Sequence, residues 1–70
     1  MVYTVKEVAK ALHVNVNYVY RLIHTNLLPS LQLGSTKVRK ETLEEFLKTY
    51  EGKNVDMLVE KIERGEIDVR

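Results

Sequence analysis

The sequence predicts a small, mainly α-helical domain with one short β-ribbon, and three patterns support this. Between Thr4 and Asn26, apolar residues recur at the three- and four-residue spacing of two short amphipathic helices. The same spacing returns between residues 40 and 50. The stretch between these regions contains Pro29 and Gly34 and alternates weakly between apolar and polar residues, which is typical of short strands joined by a turn.

Length and composition restrict the class of protein. Seventy residues, 44% of them hydrophobic, form one domain with a thin core and leave no room for a second catalytic lobe. The chain has no cysteine, which suits a reducing compartment. It also lacks an apolar run of membrane-spanning length and a signal-peptide profile at its start. We therefore expect a cytoplasmic protein with no membrane partner.

Charge is distributed unevenly along the chain. The net charge is only +1, but residues 1–40 hold six basic residues against one acidic residue, a net +5. Residues 41–70 hold five basic and nine acidic residues, a net −4. This asymmetry predicts a polar molecule with one face toward phosphate, although small domains also divide charge in this way by chance.

The first two helices are predicted from their caps. Thr4 and Glu7 form a Thr-x-x-Glu capping box, so helix one should begin there and end near His13. Asn15 can cap helix two, which should reach about Thr25 and close on a left-handed Asn26. The apolar positions of the pair are Val5, Val8, Ala9, Leu12, Val14, Val19, Leu22 and Ile23. This spacing is typical of a helix-turn-helix, which presents its second helix to the DNA major groove.

The ribbon is predicted in three parts. An edge strand should run from Leu27 to Leu33 around Pro29, since proline cannot donate to a central ladder. Gly34-Ser35 is the predicted turn, and residues 36–39 the returning strand. Within it Val38 should point inward, with Lys37 and Arg39 on the opposite face. Residues 1–3 are predicted to be an edge strand or a lead-in.

Two further helices are predicted. Helix three should run from Lys40 to Tyr50, although a second capping-box pattern, Thr42 with Glu45, offers a later start. Its predicted apolar face comprises Leu43, Phe46, Leu47 and Tyr50. Because Gly52 ends this helix, we divide the chain into a domain over residues 1–52 and a helical extension over residues 53–70.

The predicted extension holds helix four. Asn54 should cap this helix and Gly65 end it, and residues 66–70 should fray. Its apolar stripe comprises Val55, Leu58, Val59 and Ile62. This stripe either folds back onto the domain or faces a second protein.

Candidate DNA contacts lie on helix two and on the ribbon. Helix two carries a set of hydrogen-bonding side chains and no acidic residue: Asn15, Asn17, Tyr18, Arg21 and His24. Asparagine pairs with adenine, arginine pairs with guanine, and tyrosine reaches phosphate. The basic ribbon is placed for the adjacent minor groove. The alternatives are an ordinary solvated helix face and edge-strand lysines that only prevent aggregation. Tyr20 could either pack under the ribbon or touch DNA.

Other chemistry has little support in the sequence. His13 and His24 have no partners at metal-ligand spacing, and adjacent Glu44 and Glu45 resemble a solvated helix surface rather than a catalytic pair. The three glycines form no phosphate-binding loop. We therefore expect no enzyme activity, metal, cofactor or small-molecule ligand.

The segments YTVKEVAKALHVNVNYVYRLIHTNLLPSLQLG and VRKETLEEFL resemble the excisionase-like winged-helix family, a branch of the MerR-like DNA-binding domains. At the turn between the helices, this chain has His13 where the family commonly has glycine. The resemblance implies a winged helix-turn-helix with helix two in the major groove and the wing in the minor groove. By matching position, residues 15–21 would read the groove. The wing contacts would be Ser35, Thr36, Lys37 and Arg39.

The resemblance also implies a biological role. Family members bind near an attachment site, bend DNA and direct a tyrosine integrase toward excision, while others regulate transcription. The expected partners are double-stranded DNA, an integrase and further copies of the chain. Two alternatives stay open: a small transcriptional repressor that uses the same contacts, and a protein-interaction module that does not bind DNA.

Overall fold

The computed structural model describes residues 1–67, which fold into four helices and a three-stranded antiparallel sheet. The mainly α-helical fold with a small β-wing is thereby confirmed. Of the segment predicted to fray, residues 68–70 lie outside the described residues. The elements in chain order are β1 (Val2–Thr4), α1 (Val5–Leu12), α2 (Val16–His24), β2 (Leu31–Leu33), β3 (Ser35–Arg39), α3 (Lys40–Tyr50) and α4 (Val55–Glu63).

The predicted caps position the α1–α2 pair. Thr4 Oγ1 accepts from the Glu7 amide at 3.1 Å, and Glu7 Oε1 accepts from the Thr4 amide at 2.8 Å, which completes the capping box. His13 ends α1 in the left-handed region at φ 59°, the conformation that glycine would adopt more easily. Asn15 Oδ1 accepts from the Tyr18 amide at 2.8 Å, and Asn26 follows α2 at φ 63°, both as predicted.

One hydrophobic core joins most of the elements. Its fully buried side chains come from α1, α2, the loop after α2, β3 and α4. They are Val8, Val19, Leu22, Leu28, Val38 and Val59. Ala9, 5% exposed, allows α1 and α2 to approach closely. The core therefore fixes α2 by its inner face and leaves the opposite face outward.

The sheet has the order β1-β3-β2, so β3 is central and the predicted lead-in forms an edge strand. The prediction of a strand over residues 27–33 is wrong in its first half. Leu27 and Leu28 lie in the core, and their amides donate to the Leu22 carbonyl at 3.1 Å, so the strand begins only at Leu31. The predicted two-residue turn is also too long, because Ser35 belongs to β3 and Gly34 alone, at φ 76°, joins the strands.

Helix α3 has the predicted bounds, Lys40–Tyr50, but a narrower buried face than predicted. It begins at Lys40 behind Arg39, which makes no side-chain cap, so the alternative start at Thr42 is wrong. Leu47 was predicted to be buried but is 50% exposed. The thin core covers only the side of α3 that carries Leu43 and Phe46, and Leu47 lies on its flank.

Helix α4 packs back onto the rest of the molecule. Asn54 Oδ1 accepts from the Met57 amide at 3.1 Å and caps the helix as predicted, while Gly65 follows its end at φ 75°. Val59 is 0% exposed and belongs to the common core. Of the two uses left open for this helix, the described residues thus show the packed one. The boundary at residue 52 stays a prediction.

Candidate nucleic-acid interface

The outward face of α2 presents three exposed polar or aromatic side chains. Val19 and Leu22 fix the helix to the core, so Asn17, Tyr20 and His24 project on the opposite side. The Tyr20 and His24 rings lie 6.2 Å apart between centroids. Tyr20 is 39% exposed, and this places it on the surface that the sequence assigned to DNA, although the predicted contacts did not include it.

Asn15 lies at the N-terminal end of this face, where base-reading residues of a recognition helix approach DNA. Its Oδ1 atom accepts the capping hydrogen bond described above. A carbonyl oxygen has two lone pairs and the amide nitrogen donates, so the cap still leaves Asn15 able to pair with a base edge. The residue therefore combines a structural contact with a predicted recognition contact.

Tyr18 and Arg21 lie on the flank of the α2 face, and α4 occupies this flank. The Tyr18 hydroxyl donates to Asp56 Oδ1. Arg21 makes a two-pronged ion pair with Glu63, with Nη2–Oε1 at 2.7 Å and Nε–Oε2 at 3.0 Å. The Arg21 guanidinium also lies 5.6 Å from the centre of the Tyr18 ring. Both predicted DNA contacts thus already have acidic partners within the chain.

The ionisation of these groups reflects the contact with α4. Burial, followed by the hydrogen bond to Asp56, raises the pKa of Tyr18 to about 12, so the phenol is a neutral donor at physiological pH. The hydrogen bond from Arg21 holds the pKa of Glu63 below its ordinary value, and the same bond raises the pKa of Arg21. Arg21 and Glu63 are therefore both charged when they meet.

These acidic partners are not evident from the sequence of α2. That helix has no acidic residue, but α4 brings Asp56 and Glu63 against it from 38 and 42 residues away. Glu60 lines the same cleft beside Tyr18 and Arg21. Asp56, Glu60 and Glu63 recur at offsets of four and seven, next to the apolar stripe of α4. This spacing predicts a helix face, though not the neighbour that the face meets.

The wing formed by β2 and β3 divides its predicted residues between two faces. Val38 is fully buried, as predicted, so Ser35, Lys37 and Arg39 share the outward face. Lys37 Nζ lies 2.5 Å from Ser35 Oγ, and Arg39 Nε lies 3.8 Å from Glu41 Oε1. Thr36 has the opposite orientation and accepts from Gln32 Nε2 at 3.3 Å.

Exposed leucines accompany the basic residues on the outward face of the wing. Leu31 pairs with Lys37 and Leu33 with Ser35, so these partners point to the same side of the sheet. Leu33, beside the tip at Gly34, is 57% exposed. The basic ribbon is therefore also partly apolar, which its sequence did not reveal.

Residues 1–67 contain neither a metal-binding cluster nor a helix suited to span a membrane. In this part of the chain, no group of three or more histidine or carboxylate side chains is arranged to hold a metal ion. None of the helices there combines the length and apolarity that a membrane span needs.

Comparison with known families agrees with this geometry. A family model described as a helix-turn-helix domain matches residues 2–50, which extend from β1 to the end of α3. This family includes excisionase-like DNA-binding proteins. No curated protein and no solved structure matches the chain. The matched region contains α2 and the wing but ends before α4.

Proposed function

The chain belongs to the helix-turn-helix domain family and is a DNA-binding protein, and from this premise we propose that it is an excisionase-like architectural protein. It binds a specific duplex sequence near an attachment site and bends the DNA. The bend promotes integrase-mediated excision of a mobile element or prophage. The protein binds the DNA and changes its shape, and it catalyses no step of the excision.

One observation carries this proposal: a core-anchored α2 presents an exposed polar face in the same small domain as a wing with two outward basic residues. The core holds Val19 and Leu22, so the outward face of α2 needs no rearrangement before it meets the major groove. Lys37 and Arg39 share one side of the ribbon and can enter a minor groove together, where they sense its negative potential. This division of contacts supports binding across two adjacent grooves.

Each group has a chemical role in the proposed complex. Asn15 and Asn17 can donate to and accept from adenine, which favours an A·T-containing site. His24, the last residue of α2, can donate to the phosphate backbone. A wing that inserts into the minor groove favours bending of the duplex toward its major groove.

Selection of bound duplexes from a random pool, followed by a bending assay on the selected site, tests the proposal. We expect the selected duplexes to contain repeated copies of a short A·T-containing element. In the bending assay, the electrophoretic mobility of the protein–DNA complex should depend on where the site lies within the fragment. A consensus composed only of G·C pairs would contradict the roles of Asn15 and Asn17. Integrase recruitment is then measured as excision of a reporter flanked by attachment sites, with and without the protein.

The same measurements separate the rival functions. Tight binding without a bend, at a site that overlaps a promoter, would indicate a small transcriptional repressor. No binding to any duplex at low salt, together with no effect of Arg21→Ala, would indicate a protein-interaction module. Knowledge of whether the neighbouring coding region encodes an integrase adds an independent test.

A further inference from the structure

The acidic strip of α4, defined as Asp56, Glu60 and Glu63, lies against the flank of the proposed recognition helix. Two of its members bond directly to Tyr18 and Arg21, and the third lines the cleft between the helices. Glu63 meets Arg21 through two nearly parallel hydrogen bonds, the geometry in which a phosphate also binds arginine. The carboxylates of the strip therefore present these side chains with negatively charged oxygen acceptors, as the phosphates of a DNA backbone do.

DNA and the acidic strip cannot both use these groups fully. Glu63 occupies the Nε–Nη2 edge of Arg21, so a phosphate can bind this edge only by replacing Glu63. A phosphate that binds there also approaches the three carboxylates of the strip. The Arg21–Glu63 pair is partly solvent-exposed, at 43% and 39% of the two side chains, so exchange of one partner for another costs little free energy. The repulsion between the strip and the backbone persists after the exchange because the carboxylates stay beside the groove-facing flank.

The strip cannot easily leave, because α4 is anchored in the core. Val59 is fully buried, and the half-buried Val55, Leu58 and Ile62 pack against the same cluster. Moving α4 away would expose this apolar surface to water and remove the packing contacts between the whole helix and the domain. The acidic residues thus act from a fixed position.

We infer that the acidic strip of α4 sets the DNA affinity of this protein by competing with backbone phosphates for Tyr18 and Arg21 while α4 stays packed. This inference rests on the proposed DNA-binding function. In this role, α4 keeps a single copy of the protein weakly bound to DNA. Occupancy then depends on additional contacts, such as those from neighbouring bound copies.

The test compares two triple variants with the same change in charge. The first, Asp56→Asn with Glu60→Gln and Glu63→Gln, neutralises the strip with side chains of similar size. The matched control, Glu44→Gln with Glu45→Gln and Glu51→Gln, neutralises three exposed acids on α3 and just beyond its end. Both variants raise the net charge by three, so a difference between them reports position rather than total charge.

Affinity for the selected duplex is measured over a range of salt, with Val59 methyl resonances recorded to follow the packing of α4. We expect the strip variant to bind about three- to tenfold more tightly at about 50 mM salt, and the control less than about twofold. The salt slope should steepen by about 0.9 as Arg21 gains a phosphate. The Val59 resonances should keep their positions.

Three outcomes would overturn the inference. Equal gains in the two variants would assign the effect to net charge, and unchanged or weaker binding would show that the strip does not compete with DNA for Arg21. Tighter binding with loss of the Val59 signals would show that α4 must leave. If neither the natural protein nor either variant binds any duplex, the proposed function fails, whereas binding without a difference removes only the inference.

Discussion

At the scale of single residues, Asn15 shows how one side chain serves the fold and the proposed interface together. Its Oδ1 atom caps α2, while its position at the start of that helix places it nearest the base edges. The two roles of this residue can be separated experimentally by a substitution that keeps only one of them. Serine caps as well as asparagine but cannot pair with adenine through two bonds.

We therefore expect Asn15→Ser to retain thermal stability and to lose discrimination at one base pair of the selected site, by about 1–3 kcal/mol. Asn15→Ala should lose the same discrimination and also about 1 kcal/mol of stability, because the Tyr18 amide loses its side-chain partner and keeps only the longer bond to the Asn15 carbonyl. Thermal unfolding and competition binding against single-base variants of the site measure the two effects. Full discrimination in Asn15→Ser would limit this residue to capping.

Tyr18 makes the α2–α4 contact sensitive to high pH. Its pKa in the folded protein, about 12, lies above the ordinary value of 10.0, so folding favours the protonated phenol. The resulting stabilisation is complete below pH 10 and is lost as the pH rises through 12. An ultraviolet titration should show a tyrosine that ionises near pH 12, absent in Tyr18→Phe. Absence of this high-pH transition from the natural protein would contradict the hydrogen bond to Asp56.

At the scale of elements, α4 shows how a helix outside the matched family region becomes part of the core. The family match ends at residue 50, but Val59 is as deeply buried as Val8 of α1. The helix has nine residues, which is too short to be stable alone in water, so its folding depends on this packing. Truncation of the buried Val59 side chain should therefore destabilise the whole domain.

We expect Val59→Ala to lower the free energy of unfolding by about 1–2 kcal/mol, since the lost methyl groups leave a cavity that the better helix propensity of alanine only partly offsets. Met57→Ala on the same helix is the control, because Met57 is 50% exposed and should change stability by less than about 0.5 kcal/mol. Chemical denaturation measures both variants. Similar effects of the two substitutions would show that α4 is not anchored through Val59.

At the scale of the whole molecule, the charges are arranged differently from their order in the sequence. The basic first half and acidic second half predicted a molecule polarised between two faces. The fold instead brings acidic α4 against α2, while the wing keeps Lys37 and Arg39 outward. Net attraction to DNA should therefore come mainly from the wing and be modest in total.

This arrangement predicts a shallow dependence of DNA binding on salt. We expect about three to five phosphate contacts per copy, so that log K falls with log salt with a slope of about −3 to −4.5. Lys37→Ala should reduce the slope by about 0.9, while Lys48→Ala, on the exposed side of α3, should leave it unchanged. Equal slopes for the natural protein and Lys37→Ala would remove the wing from the interface.

Local structure follows from the amino-acid sequence alone wherever one residue type suits one backbone geometry. The capping box at Thr4, the caps at Asn15 and Asn54 and the helix-closing Asn26 are all present where it predicted them. The apolar spacing of α1 and α2 likewise predicted which side of α2 is buried. These features depend on neighbours within a few residues, so the local pattern contains the information they need.

The assembled fold, in contrast, specifies which distant residues meet. It placed Leu27 and Leu28 in the core rather than in a strand, left Leu47 exposed, and brought Asp56 and Glu63 to side chains about forty residues away. Helical periodicity assigns residues to a face of their own element but does not identify the element that the face contacts. That choice depends on how all the apolar faces of a thin core are covered at once, which is a property of the assembled fold.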